Sequence, residues 1–233
     1  MALEFGVDTF GDVTWDGDGK DLLQGQVIRN VIAEGLLADQ VGIDVFGLGE
    51  HHRPDFAVSA IEPVLAAIAA QTSRIKLTSA VTVLSSDDPI RVFQRFSTLQ
   101  AISDGRAEIT LGRGSFTESF PLFGFDLSDY EMLFEEKFDL FKRLTTEEKV
   151  SWSGRHRTPL KQQSVYPRPE RPIPVWLGVG GTPDSVVRAA SNDTALLDQL
   201  RASDPDTLIS FHLSLAKAYA DAGMNDDAVA AYV

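Results

Sequence analysis

"IKLTSAVTVLSSDDPIRVFQRFSTLQAISDGRAEITLG", residues 75–112, decides the fold. Its first ten residues are apolar and β-branched and are bounded by polar residues, which is the composition of a buried strand. Asp88 then stands at a helix cap, with Pro89 in the first turn, where a missing N–H leaves no intrahelical bond unmade. After that helix "AEITLG" (107–112) returns to strand character. A strand, a helix and a second strand in succession imply a crossover between parallel neighbours.

The same alternation continues in both directions. Upstream, "DVFGLGE" (44–50) reads as a strand, "AIEPVLAAIAAQTS" (60–73) as an apolar, Ala-rich helix, and "LEFGVDTF" (3–10) as the first strand. In "LLQGQVIRNVIAEGLLADQVG" (22–42), Leu23, Val27 and Val31 recur at helical spacing on one face. Downstream, "SDYEMLFEEKFDLFKRL" (128–144) is a fourth, amphipathic helix, "IPVWLGVGG" (173–181) a fifth strand and "TPDSVVRAA" (182–190) the start of a fifth helix. Residues 146–173 lack a clear period and hold four prolines, so they are expected to form a long, functional excursion. The chain is therefore α/β with a parallel sheet. Two architectures fit, an open doubly wound sheet and part of a (β/α)8 barrel, and both bind ligands at the carboxyl ends of the strands. Glu50 and His51, Ser85 to Asp88, Arg113 to Phe116, and Gly180 to Thr182 all fall at such ends.

Composition narrows the function. At 233 residues and 43% hydrophobic content, the chain can build one large domain or two small ones. The lack of cysteine excludes disulfides, thiolate metal sites and cysteine nucleophiles, and fits a cytoplasmic protein. A net charge of −13 opposes unspecific attraction to nucleic acid or to anionic membranes. No leader-like segment opens the chain and no run approaches a membrane span, so a soluble, unexported protein is expected.

Two of the four histidines sit together in "GLGEHHRPDF" (47–56), beside Glu50. Neighbouring side chains in an extended segment point to opposite faces, so His51 and His52 are poorly placed to share a metal ion. Either they are ordinary loop histidines, or one of them handles protons, which an imidazole can do near neutral pH.

Three stretches together carry a family resemblance: "FGLGEHHRPDF", "TSAVTVLSSDDPIRVFQRFSTLQAISDGRAEITLGRGSF" and "PVWLGVGGTPDSVVRAA". In order, spacing and type they resemble the bacterial luciferase-like monooxygenases, flavin- or deazaflavin-dependent (β/α)8 barrels, over about residues 3–190. The resemblance implies that His51, with Glu50 beside it, is catalytic and sits close to the flavin ring. It implies that Arg113, Gly180, Gly181 and Thr182 hold the cofactor phosphate, which suits a guanidinium fork and a glycine-bordered helix start. Ala80 and Val81 match the family's non-proline cis peptide beneath the flavin. Other readings of the same residues stay open: Arg113 paired with Asp87, Asp88 or Glu118, "GVGGTP" as a tight turn, and "SFTESFPLFGF" as a packed loop. His156, in the excursion, has no role on sequence grounds.

The remainder, residues 191–233, departs from the pattern and offers no comparable strand. Leu215, Ala216, Tyr219, Gly223, Ala228 and Tyr232 resemble a single tetratricopeptide repeat, or else mark a plain helical pair with a glycine turn. The expected organisation is thus a TIM-barrel-like unit, residues 1–190, truncated to about five strand-helix units, and a helical tail, residues 191–233. The resemblance implies a flavin-dependent monooxygenase using oxygen and reduced FMN, supplied by a partner flavin reductase, on a small organic substrate; a deazaflavin is the other cofactor it allows. It also implies a homodimer formed through helices two and three. The runner-up is a noncatalytic flavin-binding or helical interaction protein derived by truncation.

Overall fold

The computed structural model describes residues 3–178 apart from residue 115. The fifth helix and the tail expected beyond it lie outside the described residues, as do Gly180, Gly181 and Thr182.

Strands β1 (Gly6–Thr9), β2 (Val45–Leu48) and β3 (Lys76–Ser79) pair in parallel in that order. So do β4 (Thr82–Val83), β5 (Ile109–Gly112) and β8 (Val175–Leu177). The two ladders join at β3 and β5, where Leu77 N donates to Arg106 O and Glu108 N to Leu77 O, both at 2.9 Å. At the next rung a side chain takes the place of the main chain: Ser79 Oγ donates to Thr110 O (2.8 Å) and accepts from Thr110 N (3.0 Å). Here the chain leaves β3 through the Ala80–Val81 peptide, which is cis, at the position where the resemblance places one. The single third strand expected over 75–84 is therefore two short strands. Neighbours follow one another in chain order with no reversal among the described strands, as in a barrel wall, whereas a doubly wound sheet reverses at a switch point.

Helices α1 (Gln24–Val41), α2 (Ile61–Ala69), α3 (Pro89–Ile102) and α5 (Tyr130–Thr146) cover the sheet. As the cap residue, Asp88 accepts from Ile90 N (2.9 Å) and Arg91 N (3.2 Å) through Oδ1, which starts α3 at Pro89. α1 approaches α2 closely at Gly35, where an added Cβ would lie 2.6 Å from Ile68 Cδ1. Phe93 and Phe96 of α3 and Phe138 and Phe141 of α5 are buried, each contributing roughly 1.5–3 kcal/mol. No described helix is long and apolar enough to cross a membrane.

Two expectations need correction. Residues 146–173, expected as an excursion without regular structure, hold an antiparallel hairpin of β6 (Val150–Trp152) and β7 (Leu160–Gln163). Val150 and Trp152 turn inward with Ser151 outward, and the Trp152 indole donates to Asp139 of α5 at 2.9 Å. A three-residue alternation among four prolines is too short to register as a period. The second correction is α4 (Ser119–Phe123), a short helix in the phenylalanine-rich stretch expected to be a loop.

At the amino ends of the strands Arg106 binds the structure together. Its Nε donates to Ser103 O (2.8 Å), Nη1 to Thr72 Oγ1 and Ile75 O (2.9 Å each), and Nη2 to Ala69 O (2.9 Å) and Thr72 O (3.0 Å). One guanidinium thus ties the end of α2 and the lead into β3 to the turn after α3.

Candidate active site

The carboxyl ends of β2, β4 and β5 surround a cavity of about 420 Å³. β2 enters it through Gly49, whose missing side chain makes room for Phe10, since a Cβ there would lie 2.1 Å from the Phe10 ring. β5 is equally tight, for a Cβ at Gly112 would lie 2.5 Å from Val81 Cγ2. Ala80, Val81 and Val83 give the cavity a small-residue apolar floor.

His51 stands in an aromatic wall. Its ring centroid lies 4.3 Å from that of Phe56, 4.9 Å from Phe116 and 5.1 Å from Phe10. The main chain is held by His51 N donating to Val58 O at 3.1 Å, while the imidazole makes no hydrogen bond to any described protein atom. Burial lowers its pKa below the ordinary imidazole value, with Glu118 opposing and Arg53 reinforcing the shift. At neutral pH the ring is uncharged, offering one N–H donor and one acceptor.

Glu50 and His52 are committed elsewhere. Glu50 Oε1 and His52 Nε2 lie 2.8 Å apart, and Glu50 Oε2 accepts from Val83 N at 3.2 Å. Burial raises the pKa of Glu50, against the hydrogen bonds from His52 and Val83. Glu50 therefore ties the end of β2 to β4, and the His52 ring meets Phe123 of α4 edge-on. The two histidines face different partners, and among the described residues no three His, Asp or Glu side chains gather as metal ligands.

Arg113 follows directly on β5 and is not among the lining residues of the cavity. Its guanidinium pairs with Glu131 and lies 5.3 Å from the Tyr130 ring, whose hydroxyl donates to Gly114 O at 2.8 Å. The cavity is lined by Gly114, the next residue. None of the alternative partners for Arg113 is used: Asp87 meets Arg95, Asp88 accepts from Arg157 Nε at 2.9 Å, and Glu118 lines the cavity. Ser85 to Asp88 serve the fold. Ser85 O accepts from Lys137 Nζ at 2.6 Å, and burial brings this lysine's pKa down to about 8 against the pull of Asp87, Asp88 and Glu136. His156 lies near Asp129, 3.9 Å from its carboxylate, far along the chain from the cavity loops.

Sequence reasoning missed Phe10, Asp12, Phe56, Glu118 and Ser119, all on the cavity lining. Ser119 Oγ is buried there without a hydrogen-bond partner among the described residues, as is Thr82 Oγ1, which lies off the cavity lining. Phe116, read as loop packing, belongs to the wall around His51. Asp12 and Phe56 reach the site through an antiparallel bridge between two loops, a contact that no local period announces.

Comparison with known proteins bears on the family and the fold. A sequence profile of the luciferase-like monooxygenases matches residues 5–232, past the resemblance noted up to residue 190. The F420-dependent glucose-6-phosphate dehydrogenase of Kineococcus radiotolerans is 31% identical over 152 residues, which are 62% of this chain and 44% of that one. Among solved structures, the monooxygenase RslO1 from Streptomyces bottropensis superposes with a TM-score of 0.73 at 24% identity, covering 99% of this chain and 67% of that one. The oxygenating constituent of 3,6-diketocamphane monooxygenase from Pseudomonas putida, a type II Baeyer-Villiger enzyme solved with FMN, gives 0.69 at 20% identity, covering 83% and 56%. The chain spans about half the length of the curated relatives it matches. Strands in sequential order, a cavity at their carboxyl ends and a profile match over nearly the whole chain lead to one assignment: this chain belongs to the luciferase-like monooxygenase family.

Proposed function

We propose that the cavity receives the ring system of a flavin or deazaflavin and that the chain is an oxidoreductase acting on a small organic molecule beside it. The observation that carries this reading is the His51 imidazole, set among aromatic rings above an apolar floor and without a side-chain hydrogen bond to any described residue. The residues suit such a group. Ala80, Val81 and Val83 offer apolar side chains, and Ser119 Oγ is a buried hydroxyl that can bond a polar edge of the ring system. When bound, the cofactor supplies two-electron chemistry. His51 holds or delivers a proton at the ring nitrogen nearest the reacting atoms, Phe56 and Phe116 exclude water, and Glu50 fixes the strand ends that carry them. Reduced FMN from a separate reductase, with oxygen, is the finer form of the proposal; F420 is the alternative that the dehydrogenase relative suggests. Arg113, Gly180, Gly181 and Thr182 are proposed for the phosphate. Two copies are proposed to pair through α2 and α3, which sedimentation velocity checks.

The second reading is a noncatalytic flavin-binding or helical interaction protein of the same family. Titration of the full chain with FMN and with F420, followed by fluorescence, separates the cases. Saturable binding, with substrate-dependent oxygen uptake when a reductase and NAD(P)H are added, or F420-linked oxidation, upholds the enzyme. Saturable binding without turnover upholds the flavin binder, and no binding at high micromolar concentration refutes both flavin readings.

A further inference from the structure

The charges around the cavity determine what can share it with a cofactor, an inference resting on the reading that chemistry takes place beside His51. The described lining residues include Asp12, Glu50 and Glu118 but no lysine or arginine. Glu50 is committed to His52 and Val83 N. Asp12 and Glu118 form no direct ion pair among the described residues, and Arg53 acts on Glu118 only at longer range, so both turn a carboxylate without a contacting cation toward the space. The cations close by are spoken for. Arg53 lies 4.5 Å from the Phe116 ring but gives two bonds of 2.9 Å to Asp55, and Arg113 is paired with Glu131. The histidine on the wall stays neutral near pH 7, and the remaining described lining is chiefly aromatic and aliphatic.

An incoming carboxylate or phosphate would lose water in this cavity and meet two like charges, with no lysine or arginine among the described lining residues. An apolar body loses nothing there and gains the aromatic wall. We infer that the substrate is an uncharged or cationic organic molecule with a mainly apolar body, and that Asp12 and Glu118 exclude anions, sugar phosphates among them. This separates the chain from the relative named for glucose 6-phosphate, whose substrate is an anion.

The test uses three planar probes of nearly one shape, benzoate, benzamide and benzamidine, which differ in charge. Each is titrated into the full chain without cofactor, and binding is read from the His51 ring signals by NMR. Benzamide and benzamidine should bind at least about tenfold more tightly than benzoate, as expected for two carboxylates acting across several ångströms of partly screened space. In the Asp12→Asn/Glu118→Gln variant the gap should close to within about threefold, and a thermal melt by circular dichroism shows whether the variant is folded. If the double variant unfolds, Asp12→Asn alone should close about half of the gap on a logarithmic scale. Glucose 6-phosphate should leave the His51 signals unmoved at concentrations where benzamide saturates. Benzoate binding as tightly as benzamide, a gap that survives in the folded variants, or no response to any probe overturns the inference. Failure of the cofactor reading looks different: FMN and F420 then do not bind, while the order of the three probes is retained.

Discussion

Both ends of the same parallel strands bury polar side chains, and they treat them in opposite ways. At the amino ends Arg106 gives five hydrogen bonds to carbonyls and a hydroxyl and has no capacity left for a ligand. At the carboxyl ends the His51 ring makes no protein hydrogen bond among the described residues, and Ser119 Oγ is buried without a partner. A satisfied polar cluster stabilises, whereas an unsatisfied one lowers stability unless something arrives to complete it. The contrast separates scaffold from site without reference to any relative, and each variant below is aimed at one side of it.

The largest effect should come from His51→Asn. Loss of a positioned proton carrier should lower turnover by about 10²–10⁴-fold, with stability changed by less than about 1 kcal/mol in urea denaturation. Because burial lowers its pKa, the neutral ring persists below the ordinary imidazole range, so the rate should be level through neutrality and fall only at more acidic pH. A fall that begins above pH 7 would mean another group is in control. On the scaffold side, Arg106→Ala strands several acceptors at once and should cost about 3 kcal/mol of unfolding free energy, with ligand affinity per folded molecule retained. A cost below about 1 kcal/mol would remove the amino-end half of the contrast. Gly49→Ala bridges the two, since its Cβ would collide with Phe10 in the wall of the cavity. It should cost about 1–3 kcal/mol and weaken ligand binding together with stability, which parallel titration and melting would reveal.

The last effect is one of pH dependence and concerns Lys137. Its folded pKa of about 8 lies below the ordinary lysine value, so between the two the unfolded chain binds more protons and native stability rises with pH. Lys137→Met cannot titrate. The stability of the native protein relative to this variant should therefore increase from about pH 8 to pH 10, and a difference independent of pH would contradict the assignment.

The scaffold was legible wherever chemistry is local. Asp88–Pro89 announces α3, the Leu23, Val27 and Val31 stripe announces α1, and the strands alternate with helices as their compositions imply. His51 was legible as well, because a rare residue type at a strand end is conspicuous. Arg106 was not, for its acceptors are main-chain groups of Ala69, Thr72 and Ile75, invisible to any side-chain pattern. Asp12 and Glu118 reach the cavity from loops far apart in the chain, and only the folded sheet brings them together. The ion pair of Arg113 with Glu131, the second residue of α5, was not legible either, because the two residues are brought together only by the fold.

The most direct test of the central claim is amide and side-chain chemical-shift mapping while FMN, and separately F420, is added to the full chain. The account predicts saturable changes at His51, Ala80, Val81 and Ser119 for at least one of the two, with Thr72, Ile75 and Arg106 unmoved. Changes centred on Arg106 and the amino ends of the strands, or no change with either compound, would contradict it.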